Sequence, residues 1–236
     1  MYDFFDKYFL YIMVTIFALI SYIWLFINKK RLNIPWWEIV ITGIFELIVG
    51  FTGAKALAMV DFGFEKGSFI NGMRLYGAIF AEPIYFFIYA KIRKIPLSTM
   101  FDYYLIPLIF IIMSVRINCI HVGCCNSIVI NGFEILIREI ELVTNALSIC
   151  IFGYFIIKKK LQGKLYPIYM ISYGIIRFGL EFFRAEYTTI GFMHYGHFWS
   201  ITSITIGIIV LVIQYIVFKR KESNYVDSLI MGSDDE

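Results

Sequence analysis

The chain has 236 residues, 60% of them hydrophobic and 17% charged, with a mean hydropathy of +0.75. A soluble domain carries about 45–50% apolar and about 25% charged residues, so this composition excludes a water-soluble fold and makes lipid the solvent. The aromatic share of 19% agrees, since Trp and Tyr favour the membrane interface, and a formal charge of +3 is too small to argue for a nucleic-acid partner.

A helix crossing about 30 Å of hydrocarbon needs roughly 20 residues. In chain order the qualifying apolar runs are 8–28, 36–60, 74–90, 103–120, 139–157, 165–183 and 198–218. They predict an all-α integral membrane protein of about seven transmembrane helices, because lipid cannot satisfy an open backbone. The first run has neither a basic leading segment nor a small-residue cleavage site, and reads as a span that is retained. The third holds Glu82 and Pro83, so a tilted, kinked or partly re-entrant segment is expected there. The sequence shows no internal repeat, which predicts one membrane domain over 1–218 and a cytoplasmic polar tail over 219–236.

Basic residues fix the direction. Lys29, Lys30 and Arg31 follow the first run, and Lys91, Arg93 and Lys94 the third. Lys158, Lys159, Lys160 and Lys164 separate the fifth from the sixth, and Lys219, Arg220 and Lys221 follow the seventh. These alternate connections hold 13 of the 21 Lys and Arg residues, which the positive-inside rule assigns to the cytoplasm, leaving the N-terminus outside. Lys55, Arg74, Arg116, Arg138, Arg177 and Arg184 lie instead toward the outer halves of the spans. A cation in hydrocarbon costs a few kcal/mol and ordinarily faces a cavity or a partner. Arg74 and Arg138, at helix ends, are expected to snorkel to headgroups; Arg116 and Arg177 lie deeper and are functional candidates.

Four constellations stand out. Tyr173, Gly174, Arg177, Glu181 and Arg184 follow i, i+4, i+8, i+11 spacing, a single polar stripe on a helix. A guanidinium held by a carboxylate on such a stripe suits a lipid phosphate, and it equally suits gluing helices together. Arg116, Asn118, Cys119, His121, Gly123, Cys124 and Cys125 end the fourth run; with no second pair of ligands at zinc spacing, no metal site is expected there, and small cysteines at a packed helix end are the plainer account. Tyr76-Gly77-Ala78 opens the third run, leaving room for a headgroup or a backbone to come close, and Glu82, a carboxylate in the membrane, is either functional or neutralised by Lys55. Gly53-Ala54-Lys55 lies near the outer end of the second run, with Asp61 and Glu65 after it. The chain has no G-x-S-x-G, H-E-x-x-H, Walker loop or C-x-x-C, which removes several enzyme classes.

In this order the pieces resemble the prolipoprotein diacylglyceryl transferase family, over roughly residues 40–215. Tyr173-Gly-x-x-Arg177-x-x-x-Glu181-x-x-Arg184 matches a family motif very closely. Arg116-Ile-Asn-Cys-Ile with Gly123-Cys-Cys stands where the family has Gly-Arg-x-Gly-Asn-Phe-x-Asn-Gly-Glu, and Tyr76-Gly-Ala where it has a His-Gly-Gly type motif. Gly196-His197-Phe-Trp-Ser200 resembles a Gly-Gln-x-x-Ser stretch, Gly53-Ala54-Lys55 a Gly-Ala-Arg element, and Ile140-Glu141-Leu142, faintly, a Gln-Leu-Tyr-Glu segment.

The resemblance implies a cofactor-free transferase of the bacterial plasma membrane, a divergent member of its family. Its partners would be phosphatidylglycerol, the lipobox of a prolipoprotein signal peptide, and membrane lipids. The reaction would move diacylglycerol from the phospholipid to the lipobox thiol, release glycerol phosphate and leave a thioether. Carried over, Arg116 and Arg177 hold the phosphate, with Tyr76 or His121 as the proton-transferring group; Lys55, Cys119, Cys124, Tyr173, Glu181 and Arg184 line the substrates. The departures fall on the acceptor half: Tyr76 replaces the family histidine, Cys119 an asparagine and Cys124 a glutamate, and Val115 and Asn118 replace two glycines. A phenol, with an ordinary pKa near 10, is a poor base unless a cation lowers it. Three alternatives accompany this reading: a different acceptor (sugar, lipid or other peptide), a non-catalytic lipid-binding membrane protein, and a thiol-redox enzyme, the last weakened by the missing C-x-x-C.

Overall fold

The computed structural model describes residues 2–32, 34–61, 64, 73–123, 129–130, 133–134, 136–185, 189–190 and 193–231. Among them are seven helices: α1 (Tyr2–Leu32), α2 (Trp36–Asp61), α3 (Leu75–Arg93), α4 (Leu97–Val122), α5 (Ile137–Ile157), α6 (Leu165–Glu181) and α7 (Tyr195–Met231). Two short antiparallel pairs complete the elements: β1 (Val129–Ile130) with β2 (Phe133–Glu134), and β3 (Thr189–Ile190) with β4 (Met193–His194). Each apolar run of the sequence lies within one helix or overlaps nearly all of it, the helices continuing through polar end turns that still satisfy their own backbone. The protein is an all-α integral membrane protein. Six helices are long and apolar enough to cross a membrane; α6, with 17 residues, is the shorter exception, at about 25 Å. The residues expected to start the polar tail continue α7 as helix to Met231.

α4 runs through the middle, packed against α1, α3, α5 and α6, while α2 pairs chiefly with α3 and α6 with α7. Its side chains Tyr104, Leu105, Ile106, Leu108, Ile109 and Ile112 are almost wholly buried, so the bundle is built around this helix. The re-entry considered at Pro83 is replaced by a continuous helix, in which the carbonyl that proline orphans finds another donor. Pro83 cannot donate to Ile79 O four residues earlier, and Tyr166 OH of α6 donates to that oxygen at 2.9 Å. Pro107 in α4 orphans Tyr103 O in the same way, and Trp24 Nε1 of α1 donates to it at 3.1 Å.

Small residues draw α2 and α3 together at one end. A Cβ on Gly53 would lie 2.5 Å from Gly77 O, and one on Gly77 would overlap the Gly53 carbonyl. The space at Tyr76-Gly77-Ala78 is therefore taken by backbone. Arg74 N donates to Ala54 O at 3.0 Å just before α3 begins, which fixes the register of the pair. At the other end Arg93 forks onto Glu38, Nε to Oε1 at 2.6 Å and Nη2 to Oε2 at 2.9 Å.

Candidate functional site

At the end of the bundle away from the basic connections, α1 to α4, α6 and α7 enclose a cavity of about 500 Å³. One wall is apolar, with Leu10, Tyr11, Phe51, Met73, Leu75 and Val115. The rest is polar and carries Lys55, Arg74, Tyr76, Arg116, Cys119, Tyr173, Arg177 and Arg184. Helical phase explains the grouping: Arg116 and Cys119 are i, i+3 on α4, and Tyr173 and Arg177 are i, i+4 on α6. α6 ends at Glu181, yet tight turns bonding Phe183 N to Leu180 O at 3.1 Å and Arg184 N to Glu181 O at 3.3 Å carry the stripe on to Arg184.

Behind the polar side stands Glu141 on α5, 1% exposed. Its Oε2 takes Arg116 Nε at 3.0 Å and Arg177 Nη1 at 3.0 Å, while Tyr173 OH donates to Oε1 at 3.4 Å. Arg177 Nη2 also meets Glu181 Oε2 at 2.9 Å, and Arg184 Nη1 lies 3.6 Å from that oxygen. Behind Glu141, Asn145 Nδ2 donates to its backbone carbonyl at 2.8 Å and Asn145 Oδ1 accepts from Tyr169 OH at 3.1 Å. Two guanidinium groups from different helices thus share one buried carboxylate. Buried charges need such pairing, and it holds both cations in a fixed orientation.

Gly196 at the start of α7 lies against Glu181, where any Cβ would overlap the carboxylate. One turn on, Ser200 Oγ donates to Gly196 O at 2.7 Å and lies 2.8 Å from Tyr76 OH. With the serine proton committed to the carbonyl, Tyr76 is the donor to Ser200 and keeps its oxygen lone pairs for another donor. The Tyr76 ring stands edge-on to Tyr173, 5.7 Å between centroids.

Arg74 does not snorkel: its Nε meets Asp61 Oδ2 at 2.8 Å, and Trp199 Nε1 donates to Asp61 Oδ1 at 3.0 Å, joining α2, α3 and α7 at the rim. Lys55 is buried with its Nζ 5.5 Å from the Phe51 ring centroid. Among the described residues, Lys55, Arg74, Arg116, Arg177 and Arg184 bring positive charge to the cavity wall, with Asp61, Glu141 and Glu181 beside them as carboxylates.

Two expectations fall elsewhere. His121 is turned away from the cavity, since five residues past Arg116 is about 140° around the helix; it is exposed and stacks on Phe9 of α1 at 3.9 Å between ring centroids. Glu82 faces not the polar cavity but an adjoining apolar one of about 410 Å³, which it shares with a second carboxylate, Glu46. Glu82 Oε2 and Glu46 Oε1 have no hydrogen-bond partner among the described residues. Cys124 and Cys125 lie outside the described residues. Sequence reasoning gave Glu141 only a faint resemblance, and it passed over Asn145 and Glu46; a carboxylate within an apolar run was the available signal for both acids.

The model of one protein family, prolipoprotein diacylglyceryl transferase, matches residues 5–213. No curated protein matches the chain. With nearly the whole chain matched, the protein belongs to that family, whose members are transferases of lipoprotein biosynthesis.

Proposed function

From its membership of the prolipoprotein diacylglyceryl transferase family, we propose that the protein transfers the diacylglyceryl group of phosphatidylglycerol to the lipobox cysteine of a prolipoprotein in a bacterial plasma membrane. The observation that carries this reading is the pair of guanidinium groups, Arg116 and Arg177, clamped by Glu141 on the wall of a cavity whose other wall is apolar. Such a cavity suits an anionic headgroup on one side and a glyceryl backbone with its acyl chains on the other.

In this reading the acceptor sulfur attacks the glyceryl carbon bearing the phosphate ester. The carbon–sulfur bond forms as the carbon–oxygen bond breaks, and the bonding pair leaves on the phosphate of glycerol phosphate. The donor phosphodiester carries one negative charge and the departing phosphomonoester approaches two, so fixed guanidinium groups interact more strongly with the transition state than with the bound donor. Arg116, Arg177 and Arg184 supply that field, and Glu141 and Glu181 position it. Tyr76 hydrogen-bonds the acceptor rather than serving as its base. A proton passed from Tyr76 to Ser200 would end at Gly196 O, a carbonyl with no appreciable basicity. The leaving phosphate takes the thiol proton, since its second pKa near 6 makes it a competent acceptor only once the ester bond breaks. Cys119 and Lys55 line the acceptor side.

The test is incubation of the purified protein with labelled phosphatidylglycerol and a lipobox peptide, following thioether peptide and released glycerol phosphate. Arg116→Ala and Arg177→Ala should each lower turnover by about a hundredfold or more, with Cys150→Ala, on an exposed face of α5, near wild type. An active Arg177→Ala enzyme would remove the phosphate assignment. Donor consumption without peptide modification would move the reading to another acceptor, and lipid binding without any release to a non-catalytic role.

A further inference from the structure

At the opposite end of the bundle a second polar cavity, about 280 Å³, opens where α1, α4 and the connection between α5 and α6 meet. Three cations line it: Arg31 from the end of α1, and Lys159 and Lys160 from the connection. Thr99 and Gln162 add neutral hydrogen-bonding groups. The basic run of the connection therefore does more than mark the membrane face, because two of its lysines converge with an arginine from another helix on one hollow.

That hollow is preformed. Lys159, Leu161 and Gly163 all take left-handed backbone conformations, with φ of 54°, 55° and 80°. Two of these are not glycine, so the loop is held in a shape it would not adopt alone. Its fastenings come from below and beside it. The buried Asp102 carboxylate on α4 accepts the backbone N–H groups of Gly163 and Leu165, and Gln214 Nε2 of α7 donates to Gly163 O at 2.8 Å. Asp102 is thus engaged with the loop backbone through both oxygens, and among the described lining residues the three cations outweigh it by two charges.

We propose that this cavity is a binding site for a phosphate ester, separate from the outer cavity. A guanidinium fork and two ammonium groups around a pocket larger than a single ion fit a glycerophosphate group, and a basic pocket between helices at the inner face is where anionic lipid headgroups dock. The shared chemistry has two sources, the headgroup of an anionic phospholipid in the inner leaflet or a soluble phosphate ester.

The experiment uses the full chain in phosphatidylcholine nanodiscs containing a trace of phosphatidylglycerol with a photoreactive headgroup, and maps adducts by mass spectrometry. Adducts are expected on residues 97–103 and 158–165, a position that separates them from any on the outer cavity. Lys159→Gln/Lys160→Gln should reduce them about tenfold, and Lys160→Gln alone by a smaller factor, with outer adducts unchanged. Equal labelling by a photoreactive phosphatidylcholine, or undiminished labelling in both variants, overturns the proposal. Competition by millimolar glycerol phosphate assigns the site to a soluble ester; labelling indifferent to it assigns the site to the lipid headgroup.

Discussion

Glu141 is buried among charges of the opposite sign, and its removal separates two effects that an alanine scan would merge. Glu141→Gln keeps the shape but withdraws the negative charge between Arg116 and Arg177. Breaking a buried pair by removing one partner costs about 3–5 kcal/mol, so the variant should melt well below wild type in detergent. The cavity becomes more positive at the same time, so the donor should bind no more weakly: kcat falls while KM holds or drops. A rise in KM with kcat intact would show that Glu141 touches the lipid rather than positioning the arginines. Arg177, Glu181 and Arg184 were legible in the sequence because one helical stripe carries them, whereas Glu141 was barely so, since its partners come from α4 and α6. The pairing of Ser200 with Tyr76 and that of Asp61 with Arg74 were hidden for the same reason. His121 was misplaced through helical phase, its spacing from Arg116 turning it toward Phe9.

Among the helices, the two interior prolines show how a membrane bundle tolerates a missing donor. Tyr166 and Trp24 each supply, from a neighbouring helix, the hydrogen bond that Pro83 or Pro107 removes. Tyr166→Phe leaves Ile79 O buried and unsatisfied, and Trp24→Phe does the same for Tyr103 O. Each should cost about 1–3 kcal/mol, read as a lower melting temperature, while turnover measured well below the transition stays close to wild type. Unchanged melting would mean that water or lipid already serves those carbonyls. Hydropathy located every span to within a few residues because length and apolarity set it. It could not show that α3 continues as helix through Pro83, since the compensating hydroxyl lies on α6. The close approach of Gly53 and Gly77 was half legible: small residues promised room, and only the packing of α2 on α3 decides that backbone fills it.

For the molecule as a whole, the basic connections predict which face meets the cytoplasm. Cysteines introduced at Lys94 and Val122, with Cys124 and Cys125 replaced, should react oppositely with an impermeant maleimide on intact cells. Position 122 should label from outside and position 94 only after permeabilisation; the reverse pattern would invert the orientation and place the large cavity inside. In the proposed reading, the paired arginines of that cavity also bear on the tempo of a catalytic cycle. A site that favours a departing phosphomonoester over a phosphodiester also holds that product against Arg116 and Arg177 once the phosphate has given up the thiol proton. The phosphate should therefore be slow to leave the arginines after the ester bond has broken. On that reading added glycerol phosphate should compete with the incoming lipid, read as a raised KM for the donor with kcat unchanged.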